Sequence, residues 1–512
     1  MTGSVSVQPQ AARAAATPAS RTGFWLLAGY TILYFLVTVP LAAQKLLWHD
    51  ELFSVYLGAT PRLADVWKVL MTGADGLPPG FHLITRAAFS LHGPVEVIVR
   101  APEILAFWLL GICLFQVTAR RTSLLHAAFA GFLPCVMETY RYAFEARPYA
   151  LMAAFTALAL LSWQRLPREV FAKWAPVGFV AGIVGGTSVH YYGGALLLPF
   201  AAGEVVYWRR EHRFRSVVWF GMAAALVPIA LEMPFIRGAS AGQQGFWAPV
   251  EWLGIPNTYL DLLGKFFPVV VLLAALILVC VSWESRSYAR EFATSTTPPL
   301  PEIVVVAALA FVPLIIVIFA KLVTHIYTPR YGIEMVVGVC VLLAWGLYHF
   351  TGGRRAIALL VLAGATGYFL FNSVRTYRAF VAERRDLAEL GRYLSAAQPT
   401  NLPVVISDPH LFAQLSHYGP TPLLNRMIYP SDPNLEFRHT GTNTVDLALQ
   451  GLTPVWPLRI TPFGDFLRST AQFLVYGYPS DWGWQLQELE ARGMHLEITG
   501  SDQSKFLFRA TR

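Results

Sequence analysis

Residues 24–54 read FWLLAGYTILYFLVTVPLAAQKLLWHDELFS. Phe24–Ala43 is an unbroken apolar segment, long enough for an α-helix to cross a bilayer. It has no clear cleavage site, so it reads as an uncleaved first span rather than a signal peptide. Just past its end come Trp48-His49-Asp50-Glu51-Leu52-Phe53-Ser54. Two adjacent carboxylates at a membrane edge are costly to keep unless they have a role.

The rest of the chain extends this pattern. Of 512 residues, 55% are hydrophobic and 14% charged, and the mean hydropathy is +0.48. Soluble globular chains carry about a quarter charged residues, so this composition indicates a polytopic membrane protein. The formal charge is +8, and most of the excess falls in short loops. It reads as membrane topology, and no nucleic-acid partner is expected. Cys113, Cys135, Cys280 and Cys340 lie inside apolar segments without metal-ligand spacing, so neither a disulfide nor a zinc site is inferred.

Apolar windows near 24–43, 101–118, 124–140, 148–163, 173–189, 191–207, 216–236, 260–282, 302–321, 333–350 and 355–373 give about eleven helical spans. Alternate loops carry Arg120-Arg121, then Arg165, Arg168 and Lys173, then Arg209, Arg210, Arg213 and Arg215, then Arg286 and Arg290, then Arg354-Arg355. The positive-inside rule makes that side cytoplasmic. The Asp50 loop, the turns at Glu145, His190 and Arg330, and the C-terminal region then face outward. Residues 1–23 read as a disordered cytoplasmic tail, 24–373 as the transmembrane domain and 374–512 as an extracytoplasmic α/β domain.

The first outer loop, 44–99, is too long for a simple turn. Thr60-Pro61 starts a helix in which Leu63, Val66, Trp67, Leu70 and Met71 recur at helical spacing, and Gly73 closes it. Phe81–Leu91 forms a second helix. Both are expected to lie along the membrane surface. Asp75-Gly-Leu-Pro-Pro-Gly80 is the turn between them. Beyond Asn372, Arg375–Ala397 reads as a polar helix. Strands are expected at Pro403–Asp408, Ala471–Gly477, His495–Thr499 and Phe506–Arg509, with a helix at Gln485–Arg492. No Gly-rich phosphate loop is present, which argues against a nucleotide site there.

Four groups carry candidate chemistry at the outer span ends. Asp50-Glu51 comes first. Neighbours on a helix point about 100° apart, so only one of them aims into a given pocket. A pair of solvated loop acids is the alternative. The second group is the turn 140–149, YRYAFEARPY, with Tyr142, Glu145, Arg147 and Tyr149. Glu145 supplies the second carboxylate of a two-acid site, or simply pairs with an arginine. The third is His190-Tyr191-Tyr192, where His190 reads as a hydrogen-bonding or metal-ligand histidine or as a structural one, and the tyrosines suit an interfacial belt. The fourth is Tyr327-Thr-Pro-Arg330-Tyr331. Arg86, Arg100, Arg141, Arg147, Arg237 and Arg330 sit on the side where arginines are unexpected. They either snorkel or, as a group, bind the phosphate of an anionic lipid.

The chain resembles the GT-C superfamily of integral-membrane glycosyltransferases, in particular the bacterial protein mannosyltransferase and aminoarabinose transferase group. The resemblance rests on Asp50-Glu51, Asp75 with Pro78-Pro79, Arg100-Ala-Pro102, Glu145-Ala-Arg-Pro-Tyr-Ala-Leu151, His190-Tyr191-Tyr192 and Arg330-Tyr331. These motifs keep the family's order across roughly residues 24–350. The chain departs from it at Leu77-Pro-Pro-Gly-Phe81, where His-Pro-Pro-Leu-Tyr is common, and at Glu103, where Ser is common. The resemblance implies an inverting transferase that moves a sugar from a polyprenyl-phosphate donor to a hydroxyl on a lipid, glycan or protein acceptor, outside a bacterial inner membrane. It implies Asp50 as base, with Glu145 and Glu51 beside it in the catalytic set, Glu51 as a helper or a structural acid. Asp75, Arg100, Tyr142, Arg147, Tyr149, His190, Tyr191, Arg330 and Tyr331 would bind substrate. A divalent cation is left open, and no other cofactor is expected. A lipid-linked-sugar flippase and an oligosaccharide polymerase or ligase are the rivals. Clustering of charge at the outer span ends, rather than mid-membrane, favours surface chemistry over transport.

Overall fold

The computed structural model describes residues 21–166, 173–240, 242–268, 271, 298–478, 483–502 and 505–512. Residues 1–20 of the expected tail, most of the 260–282 window, Arg168, Cys280, Arg286 and Arg290 lie outside the described residues.

Among the described residues four helices are long and apolar enough to cross a membrane: Arg21–Gln44, Val95–Ala119, Ser216–Gly238 and Arg355–Ala396. Two bent pairs raise the number to six, Glu138–Phe144 with Tyr149–Arg165 at 106° and Leu300–Ala310 with Val312–Thr324 at 54°. Hydropathy windows had pointed to about eleven. The windows at 124–140, 173–189 and 333–350 fall on helices too short to pass as spans, and those at 148–163 and 302–321 fall on bent pairs. Pro134 opens a 3₁₀ segment after Leu124–Phe132, the chain turns sharply at 145–148, and Tyr191–Leu196 is a 3₁₀ turn. Leu124–Val136, Ala175–Val189 and Met335–Phe350 remain as shorter apolar helices. The 355–373 window and the polar stretch after 375 form one continuous helix of 42 residues, Arg355–Ala396.

The loop that follows Arg21–Gln44 (α1) carries three helices, His49–Ala59 (α2), Leu63–Met71 (α3) and Pro79–Ala88 (α4), before Val95–Ala119 (α5). Asp50 and Glu51 occupy the first turn of α2, where the helix dipole favours carboxylates. Gly80 lets α4 close on the neighbouring helix, because a Cβ there would collide with the Ser188 carbonyl.

Residues 404–511 contain a six-stranded sheet in the order β3-β2-β1-β4-β6-β5. The strands are β1 Val404–Ile406, β2 Met427–Ser431, β3 Ile460–Pro462, β4 Gln472–Gly477, β5 His495–Ser501 and β6 Phe506–Thr511. The first four are parallel, and β6 pairs antiparallel with both β4 and β5.

The helix expected after Thr60-Pro61, α3, does not lie free on a membrane surface, and α2 before it is covered in the same way. Leu52, Phe53, Val55, Leu57, Val66, Val69 and Leu70 are buried in one cluster with Val404, Ile406, Phe412, Tyr429 and Trp456. Burial of each such side chain contributes about 1.5–3 kcal/mol. The amphipathic pattern was real, and protein covers it. Tyr56 stacks on Trp456 at 4.2 Å and bonds His417 Nδ1 at 3.0 Å, which ties α2 to the sheet unit.

Candidate functional site

At the junction of α1, α2 and α5, Glu51 and Arg100 are both wholly inaccessible, with side chains 0% exposed. Arg100 Nε and Nη2 donate to the two Glu51 oxygens at 2.7 Å each. Arg100 Nη1 donates to the Ala42 and Lys45 carbonyls (2.6 and 2.9 Å), and Nη2 to that of Leu46 (3.1 Å). All five guanidinium N–H groups are thereby used. The arginine caps carbonyls at the end of α1, a favourable place for a cation. Glu51 also accepts from the Ala146 N–H (2.8 Å), Lys45 Nζ (3.1 Å) and the Trp48 N–H (3.3 Å). Burial raises its pKa, but Arg100 and Lys45 outweigh burial and keep it low. Glu51 was expected in the catalytic set and Arg100 in the substrate-binding set. The structure corrects both: neither has a free polar atom to offer a substrate, and together they fasten the 146 turn to α1 and α2.

Asp50 points the other way, as the 100° step requires. Its side chain is 20% exposed, with Arg330 Nη2 at 3.6 Å and Arg147 Nε at 4.0 Å from Oδ2. His49 Nδ1 lies 3.4 Å from Oδ1. Burial pushes the Asp50 carboxyl up, yet Arg147, the His49 hydrogen bond and Arg330 together hold it well below the usual carboxylate range. Asp50 is therefore ionised at any physiological pH.

Asp75 is buried and does not reach into the site as a substrate ligand. Its carboxylate grips Arg147 in a bidentate pair, Oδ2–Nη1 2.9 Å and Oδ1–Nη2 3.1 Å. The same Nη1 donates to the Asp50 carbonyl at 3.2 Å. His82 Nε2 is 3.6 Å from Asp75, and burial lowers this histidine to about 4. Neither ring nitrogen of His82 has a hydrogen-bond partner.

Arg330 lies over the rings of Trp48 (5.7 Å) and Tyr149 (5.5 Å), and its side chain is 21% exposed. His190 packs against Tyr331 at 4.9 Å and Tyr149 at 5.8 Å, and its Nδ1 accepts from the Tyr192 N–H. Tyr192, rather than the expected Tyr191, stacks on Tyr331 at 4.9 Å, while Tyr191 is only half-buried. Tyr142 stands behind Tyr149 at 4.9 Å, and its hydroxyl accepts from Arg141. Glu145 is buried 3.8 Å from Lys45 Nζ, so Lys45 links Glu51 and Glu145.

Five motifs far apart in sequence thus meet at one place: Asp50, Asp75, the turn with Arg147 and Tyr149, His190, and Arg330 with Tyr331. Sequence reasoning overlooked Lys45 and His82. The available signals were a lone cation one residue past the α1 helix and a histidine one turn into α4. Among the described residues no group of three or more His, Cys, Asp or Glu side chains is arranged to hold a metal.

No known protein family and no curated protein sequence matches this chain. Solved structures do. ArnT from Cupriavidus metallidurans bound to undecaprenyl phosphate aligns over 96% of this chain and 98% of its own, with a TM-score of 0.52 and 14% identity. The apo state of the same protein gives 0.50 and 13% over the same shares. The chain shares the fold of ArnT. The Archaeoglobus fulgidus oligosaccharyltransferase, in complex with Zn and sulfate, aligns over 88% of this chain and 67% of its own at a TM-score of 0.44 and 11% identity. The alignment with ArnT spans both the apolar helices and the sheet unit.

Proposed function

We propose that the protein is an inverting glycosyltransferase. It moves a sugar from a polyprenyl-phosphate donor to an acceptor hydroxyl at the outer face of a bacterial inner membrane. The observation that carries this reading is a single half-buried carboxylate, Asp50, flanked by Arg330 and Arg147 at the ends of apolar helices. A base with a partly exposed guanidinium beside it, here Arg330, is what such a transfer needs. The shared fold with ArnT, solved with undecaprenyl phosphate, supports the choice of donor.

The chemistry follows from the placement. The acceptor hydroxyl gives its proton to Asp50 as its oxygen bonds the anomeric carbon. The bond from that carbon to the phosphate oxygen breaks, and the lipid phosphate leaves with one more negative charge. Arg330, the more exposed of the two arginines, turns from Asp50 to this phosphate. Losing that ion pair raises the basicity of Asp50 when the donor is in place. Arg147 stays fixed by Asp75 and maintains the field. Tyr331, half-buried, is the ring on which a sugar can stack, with the buried His190 and Tyr149 packed behind it. Glu145 and Lys45 form the floor beside Glu51.

The test is an assay of the purified protein with a panel of polyprenyl-phosphate sugars, with and without EDTA. Transfer to an acceptor hydroxyl with inverted anomeric configuration is expected. Retention of configuration, or transport of lipid-linked sugar without transfer, would falsify the reading. Loss of transfer in EDTA would assign part of the phosphate charge to a divalent cation.

A further inference from the structure

The residue before the proposed base is held from the far end of the chain. His410, Gln414 and Tyr418 are spaced four apart on the helix Pro409–Tyr418 and therefore line one face of it. Each meets the segment that leads into α2. The Tyr418 hydroxyl accepts from the Leu47 N–H at 3.1 Å, Gln414 Nε2 donates to the Leu47 carbonyl at 3.2 Å, and the His410 ring packs edge-on against His49 at 4.7 Å. From the other side the Phe53 ring closes on His49 at 4.4 Å. His49 is buried as a result, and its Nδ1 faces the Asp50 carboxylate. The Nε2 atom is buried and has no partner. A buried N–H without an acceptor is rarer than a lone pair without a donor, so the proton belongs on Nδ1, directed at Asp50.

We propose that His49 is a positioning residue for Asp50, and that the His410–Gln414–Tyr418 face makes the C-terminal α/β unit part of the transfer machinery. The inference rests on the reading of Asp50 as base. Arg147 from the turn after Glu138–Phe144, Arg330 and the Tyr331 phenol from the 3₁₀ turn Pro329–Gly332, and His49 from α2 itself surround that carboxylate. The arginines set its charge, and one of them is proposed to leave when donor binds. His49 is the partner that remains on Oδ1, and it fixes which oxygen and which lone pair meet the acceptor hydroxyl. Behind it, His410 is steadied by Asp408, which caps the helix through the His410 and Leu411 N–H groups and pairs with Lys505 at 2.6 Å.

The experiment compares His49→Asn with His49→Gln in the transfer assay. An asparagine amide nitrogen falls where Nδ1 stands, and that of glutamine falls near Nε2. His49→Gln is expected to lower kcat by about tenfold or more with donor KM little changed, since misorientation of a reacting group acts on turnover. His49→Asn is expected to recover most of that loss. In the same assay His410→Ala should lower kcat, and His410→Phe, which keeps the ring contact, should recover most of that loss. This second pair decides the matter if both His49 variants fail to fold. Equal kcat for the asparagine and glutamine variants, or equal kcat for the two His410 variants, overturns the inference. Asp50→Asn runs alongside. If Asp50→Asn retains turnover, or if wild-type protein transfers from no donor of the panel, the functional reading fails and takes the inference with it. If Asp50→Asn is inactive while His49→Gln turns over at the wild-type rate, the inference alone fails.

Discussion

Asp50 and Glu51 are neighbours in the chain and share the first turn of α2, yet they serve two different regions. Glu51 lies in a closed knot, with its oxygens taken by Arg100, Lys45 and two backbone N–H groups. Asp50 lies in an open cluster, where both arginines stand 3.6–4.0 Å away rather than in tight hydrogen bonds. The two carboxylates are both held ionised, and only one has room for a ligand. The difference teaches that charge and burial do not by themselves mark a working acid. What separates the two is whether the hydrogen-bonding capacity of the group is already spent.

Substitutions on each side sharpen the contrast. Asp50→Asn keeps the shape and removes the base. Transfer should fall by up to about 10⁴-fold while the melting temperature stays near wild type, a result read by pairing the transfer assay with thermal unfolding. In the knot the readout reverses. Arg100→Ala leaves Glu51 as a buried charge without its main partner, so stability should fall by about 3–5 kcal/mol and yield of folded protein should drop. An Arg100→Ala protein of normal stability that loses only turnover would place Arg100 back in the substrate site.

His82 probes the border between the two regions. Its folded pKa of about 4 lies below the ordinary 6.5, because burial disfavours its charged form. The unfolded chain therefore binds more protons between those values, and stability falls as pH drops from about 6.5 to 4. The full effect corresponds to roughly 3 kcal/mol. His82→Gln should flatten the unfolding midpoint across that window, and an unchanged pH slope would show that His82 is not the group responsible. The smallest effect is expected for Arg330→Ala. It should raise donor KM about tenfold, the loss of roughly one charged hydrogen bond, with a smaller change for acceptor. A larger change for acceptor would move the phosphate to another arginine.

Much of this arrangement was legible in residues alone. The acidic pair after the first apolar segment, the Glu145–Tyr149 turn and the Arg330 turn were each visible as polar groups at span ends, and the structure brings them together. The α3 helix follows the apolar spacing of Leu63, Val66, Leu70 and Met71. Among the described residues four helices are long enough to pass as full-length spans, or six with the bent pairs. That number was not legible, because a hydropathy window reads apolar length and not whether the helix inside it is bent or short. Nor was the fate of Arg100. An arginine at an unexpected span end looks the same whether it faces a phosphate or the open carbonyls of a neighbouring helix.

Local order is what the chain's letters decide. Apolar length sets where helices run, alternation and turn residues set the strands, and the 100° step sends Asp50 and Glu51 to different sides. Tertiary structure alone decides which side is closed. Glu51 meets Arg100 across 49 residues, and Leu47 meets Tyr418 across 371. No local pattern encodes such pairings, because the energy of a buried ion pair or of a helix face depends on what arrives opposite it. The opening acidic pair therefore divides only in the fold, one member into a fastening and the other into the proposed base.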